Sequence, residues 1–128
     1  RFTAEKFSGP AFTGFVEKGS QLLFDGSVTT LTLYAENGSR LTATGSSTKN
    51  SIILSNGSHF AGENFAADIV TIEASNGSRA EIQALKTLSV KASNGSNIIY
   101  YGNPVTDIIK NNGSRVVPGW NEDEELGN

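Results

Sequence analysis

Cysteine and methionine are missing from this chain of 128 residues, histidine and tryptophan occur once each, and proline occurs three times. Without cysteine there is no disulfide framework, no thiolate metal site and no cysteine nucleophile. No apolar run approaches the roughly 18 residues that a membrane-spanning helix requires. Charge is sparse as well, at 18% of residues, and its imbalance is local: outside the run Glu122-Asp123-Glu124-Glu125 there are nine acidic and ten basic residues. The formal net charge of −3 therefore reflects a solvated acidic tail over 121–128 and implies neither a nucleic-acid partner nor a membrane surface. The chain opens at Arg1 with no initiator Met and no signal-peptide pattern, the form expected of a mature or trimmed protein.

What is abundant is small and polar. Ser, Gly, Asn and Thr fill 52 of the 128 positions, a bias that would suggest disorder if it were not so regularly placed. The triplet Asn-Gly-Ser occurs five times, at Asn37-Gly38-Ser39, Asn56-Gly57-Ser58, Asn76-Gly77-Ser78, Asn94-Gly95-Ser96 and Asn112-Gly113-Ser114, with a degenerate copy at Lys18-Gly19-Ser20. The intervals between the six glycines are 19, 19, 20, 18 and 18 residues. On both sides of each triplet apolar and polar residues alternate, as in Leu31-Thr-Leu-Tyr-Ala35, Val70-Thr-Ile-Glu-Ala74 and Ala80-Glu-Ile-Gln-Ala84. Such alternation belongs to half-buried strands, and no stretch shows a helical apolar stripe. A strand–corner–strand unit of this length is one rung of a solenoid. The expected fold is all-β: a single-stranded parallel β-helix of about six rungs with 18–20-residue repeats, one domain over 1–120. Residues 1–15 hold four of the seven Phe and are expected to form a hydrophobic cap over an open solenoid end.

Each corner has the same parts. Gly supplies a positive φ, and Asn tolerates one. If the strand alternation ran straight through the triplet, Asn and Ser would both face inward; a glycine bulge would expose one of them. At least one of the two columns is expected to point inward and to satisfy its polar groups along the stack. The triplets are also formal N-glycosylation acceptors, but successive corners about 4.8 Å apart leave no room for a column of glycans.

Chemistry-bearing residues are thin. His59 has no obvious acidic partner in register and is expected on the surface. A Ser–His nucleophile would need an orienting group and an oxyanion hole. Asp25, Asp68, Asp107, Glu36, Glu63, Glu73 and Glu81 form no column or close pair of the kind glycoside hydrolysis uses. No catalytic residue, metal site or cofactor is expected. One surface feature stands out: the positions after the corner serines read Gln21, Arg40, His59, Arg79, Asn97, Arg115. Parity places them outside, as a polar and partly basic stripe roughly 25 Å long. It reads either as a docking surface for an anionic or polar extended ligand or as the ordinary polar exterior of a solenoid. Tyr100 has core parity, and Tyr101 covers the flank or stacks on a sugar.

The stretches Ser93-Asn-Gly-Ser-Asn-Ile-Ile-Tyr-Tyr-Gly-Asn-Pro104, Asn112-Gly-Ser-Arg-Val116 and Gly57–Ser75 resemble the family described as putative auto-transporter adhesin, head GIN domain, over about residues 19–117. Many members have Ser-Gly-Ala-Ser where this chain has Ser-Asn-Gly-Ser. The resemblance implies a β-helical fold and an exported setting, in the periplasm, at the outer membrane or on the surface of a Gram-negative bacterium. It brings no functional residues. The expected function is a non-enzymatic binding or adhesin-like module for a surface glycan or protein. The alternative is a structural stalk or scaffold that self-associates through its solenoid ends.

Overall fold

The computed structural model describes residues 2–119. The chain coils into a parallel β-solenoid of about six turns, with no helix among the described residues. The strands are β1 (Phe2–Val16), β2 (Gln21–Glu36), β3 (Arg40–Ser55), β4 (His59–Ala74), β5 (Arg79–Ala92), β6 (Asn97–Tyr101), β7 (Val105–Lys110) and β8 (Arg115–Pro118). Each of β1 to β5 is nearly a whole turn and pairs in parallel with the next. In the following turn the strand divides, so that β6 and β7 both pair with β5, and β8 then begins another turn on β6. Among the described residues no helix is long and apolar enough to cross a membrane.

The corners set the coil. Both Asn and Gly of every triplet, and Lys18 and Gly19 of the degenerate copy, have positive φ. Two consecutive left-handed residues turn the side-chain alternation, so the inward-facing picture fails at Asn and holds at Ser. Ser39, Ser58, Ser78 and Ser96 are buried, whereas the asparagines are exposed. Each buried hydroxyl donates to the carbonyl three residues earlier, as Ser39 does to Glu36 at 2.8 Å and Ser78 to Ser75 at 2.9 Å. Ser58 and Ser78 also accept from the Ser39 and Ser58 amides of the preceding turns. Outside, the Asn side chains form their own ladder: Asn56, Asn76, Asn94 and Asn112 each donate Nδ2–H to the Oδ1 of the preceding corner's Asn at 2.9–3.0 Å. Gly38, Gly57, Gly77 and Gly95 add backbone bonds to the next corner's Asn carbonyl. Between them, the serine bonds within a corner and the Asn and Gly bonds between corners engage the triplet's polar groups through the interior of the stack, which is why the triplet repeats.

The core is a narrow aliphatic column with an aromatic step. Alternate residues of β2 face inward, and the alternation changes phase between Val28 and Leu31. Just before this phase change the stack needs glycine: Gly45, in register with Gly26, has φ 121°, and a Cβ there would collide with the carbonyl oxygen of Gly26 in the turn below. Small Ala43 and Gly45 also leave room for Phe24 and Phe65, two turns apart, to meet edge-on with centroids 6.0 Å apart. Phe12 stacks on the other side of Phe24 at 4.8 Å. The longest repeat, between Gly57 and Gly77, carries its extra residues in the register break from Gly62 to Ala66, and Phe65 is folded inward there.

Two expectations about the ends need comment. The Phe-rich segment is the outermost turn itself, β1, in parallel register with β2. The physical reason is that its alternation matches β2, so that Phe12 stands over Leu31 and Val16 over Ala35. The acidic tail Glu122–Glu125 lies outside the described residues.

Candidate binding surface

The residue after each inward serine must face outward, and it opens the next strand. Gln21, Arg40, His59, Arg79, Asn97 and Arg115 stand in direct register through all these turns. Their placement is not left to side-chain chance. The amides of Arg40, His59, Arg79, Asn97 and Arg115 each donate to the carbonyl of the preceding turn's corner serine at 2.9–3.0 Å. The row therefore keeps the sheet spacing of about 4.8 Å per turn. Arg40, Arg79 and Arg115 fall on alternate turns, about 10 Å apart by that spacing, with His59 and Asn97 between them.

Two residues further along, a second row runs beside the first: Leu23, Thr42, Ala61, Glu81, Ile99 and Val117, again in register and all half-buried. Together the rows form shallow grooves with an apolar floor and a cationic lip. One, of about 250 Å³, lies among Arg79, Asn97, Arg115, Ile98, Ile99 and Val117. Another, of about 230 Å³, lies among Gln21, Arg40, Leu22, Leu23 and Thr42. The second row went unnoticed in the sequence although the same alternation, read two positions on, would have found it. Tyr101 follows Ile99 and is half-buried, while Tyr100 packs against the core.

His59 corrects an expectation. It does have an acidic partner: Nε2 lies 2.9 Å from Glu81 Oε1, and its side chain is only 29% exposed. A carboxylate can only accept, so the ring presents Nε2–H to it. Glu81 also reaches Arg79 with its other oxygen, at 3.6 Å. The partner was missed because it sits diagonally, one turn on and two residues along, where cross-strand neighbours still touch. Elsewhere, Asp25 accepts from Thr44 Oγ1 at 3.1 Å, and Asp68 faces Lys86 at 3.7 Å. Among the described residues no group of three or more His, Asp or Glu side chains could hold a metal ion.

The opposite sheet face bears the row Phe15, Tyr34, Ile53, Glu73, Lys91 and Ile109. Its charges are one of each sign, and it has no cationic run. As for the corners, the Nδ2 of Asn56, Asn76, Asn94 and Asn112 is a donor in the ladder.

This solenoid, with its corners and outward rows, is matched over residues 3–104 by the family model described as "Putative auto-transporter adhesin, head GIN domain". The chain belongs to this family. The match takes in the Phe-rich start, which the sequence resemblance left outside, and it stops before the corner at Asn112. That extension agrees with β1 being a true turn. No curated protein and no solved structure matches the chain. An auto-transporter adhesin is an exported, cell-surface protein, and the family description names no enzymatic activity. A head GIN domain built this way holds its side chains on a rigid ladder, suited to presenting a fixed linear pattern.

Proposed function

We propose that this head GIN domain is a non-enzymatic binding module of the Gram-negative cell envelope, and that it presents the row from Gln21 to Arg115 to a surface glycan. The observation that carries this reading is the row itself: three arginines pinned in register by backbone bonds above half-buried apolar grooves. Arg40 and Arg115 are exposed and form no ion pair with any described residue. Binding to arrayed glycans and proteins tests it, comparing the wild type with Arg40→Ala/Arg79→Ala/Arg115→Ala. The expected result is a loss of roughly tenfold or more with an unchanged melting temperature. Unchanged binding would overturn the reading.

A second reading, an end-to-end scaffold, rests on β7. No described strand covers its outer edge, and Val105 and Ile109 on it are exposed. Such edges favour pairing between chains. Light scattering over a concentration series separates the two readings, since a monomer at high concentration excludes end-to-end stacking.

A further inference from the structure

We infer that the ligand of this row is an acidic polysaccharide that presents one carboxylate on every second sugar. The inference rests on the binding row proposed above and adds the chemistry of its ligand. An extended β-linked glycan advances per sugar by about the spacing between solenoid turns, about 4.8 Å. A chain lying along the row therefore sets one sugar on each turn. Arg40, Arg79 and Arg115 occupy alternate turns, and the turns between carry His59 and Asn97.

The pattern fits such a chain in three respects. Each guanidinium offers the planar fork that pairs with a carboxylate. Asn97 offers neutral hydrogen-bonding groups to the uncharged sugar, and His59 is held in place by Glu81 at 2.9 Å. Thr42, Ala61, Ile99 and Val117 form a low floor for the apolar faces of the rings. Glu81 sharpens the selection. From the Arg79 turn it reaches diagonally to His59 Nε2 at 2.9 Å, so the His59 ring is already engaged by a carboxylate of the protein and does not call for a second one from the ligand, and Asn97 could not neutralise one. Arg79 remains available because its contact with Glu81 is long and its side chain is 58% exposed, and such surface pairs are weak.

Calorimetric titration of the purified domain with hyaluronan oligosaccharides tests the inference. These alternate a uronic acid with an uncharged amino sugar. Chains of two, four, six and eight sugars are compared with the same chains after reduction of carboxyl to alcohol, and with an oligoglutamate peptide. Affinity should rise roughly fivefold for each added disaccharide until three carboxylates meet three arginines at six sugars, and then level off. Arg115→Ala should move the plateau to four sugars. Equal affinity for the reduced chains, or a rise that continues unchanged past six sugars, overturns the charge-spacing inference. If the triple alanine variant still loses binding in that case, the row itself stands as the binding surface. Tighter binding of oligoglutamate overturns the glycan class in favour of an acidic peptide. Absence of binding to every probe and to the wider arrays overturns both readings.

Discussion

Asn76 donates its Nδ2–H to Asn56 Oδ1 at 2.9 Å and accepts at its own Oδ1 from Asn94 Nδ2, also at 2.9 Å. It does so with φ at 56°. Two demands therefore meet at this position: a side chain that both donates and accepts, and a backbone in the left-handed region. Asn76→Ala fails both and should cost about 2 kcal/mol, from two exposed ladder bonds and left-handed strain. Asn76→Gly fails only the first and should cost about half that. Urea unfolding of the two variants measures the difference; equal losses would show that the ladder dominates and the backbone strain is negligible.

The solenoid uses two kinds of glycine. At Gly38, φ is 75° and a new Cβ would meet nothing within 4 Å, so Gly38→Ala should cost about 1 kcal/mol from backbone strain alone. At Gly45 the Cβ would run into the Gly26 carbonyl oxygen, a backbone atom held in the β2–β3 ladder. Gly45→Ala should cost more than about 3 kcal/mol or prevent folding. Chemical denaturation of both variants checks the order, and a milder loss at Gly45 would mean that the close approach of Gly45 to Gly26 can relax.

How much of this was readable beforehand differs from feature to feature. The corners were legible because a Gly at a fixed interval has one mechanical meaning in a solenoid, and the outward row followed by counting from it. Which corner side chain faced inward was not legible, because two consecutive positive φ values interrupt the alternation on which parity arguments depend. The inward fold of Phe65 was hidden for a similar reason: it sits in the extra residues of the longest repeat, where register breaks between Gly62 and Ala66. The His59–Glu81 pair escaped because only directly opposed positions were compared. The degenerate corner Lys18-Gly19-Ser20 was legible from its interval alone, and Lys18 adopts φ 56° there as the asparagines do.

Asn50 faces inward in register with Leu31 and Val70, is 3% exposed, and its Oδ1 has no hydrogen-bond partner. A buried carbonyl left in this state costs about 1–3 kcal/mol. Asn50→Val introduces a β-branched residue suited to a strand and removes the unmet acceptor. It should raise stability by about 1–2 kcal/mol, seen as a higher urea midpoint with an unchanged slope. A lower midpoint would mean that Asn50 is satisfied by an internal water.

The Asn ladder also orders the chemical ageing of the protein. Asn-Gly deamidates when the glycine nitrogen attacks the Asn side-chain carbonyl carbon. Ammonia leaves, a succinimide closes, and water reopens it to aspartate or isoaspartate. In the corners at Asn37, Asn56, Asn76 and Asn94 the glycine N–H is bonded to the next turn's Asn carbonyl at 2.9–3.0 Å. Attack there first requires local opening of the stack, with a free-energy cost that slows it. Among the described residues nothing accepts from Gly113 N–H in this way, and Asn112 uses Nδ2 while no described group donates to its Oδ1. Asn112 should therefore convert first when the folded protein is held at mildly alkaline pH, with the other four following only under partly unfolding conditions. Peptide mapping by mass spectrometry reads the amide-to-acid mass gain at each site. Conversion at an interior corner before Asn112, or equal rates at all five, would mean that the ladder does not protect its asparagines and that the stack opens as readily in the middle as at this end.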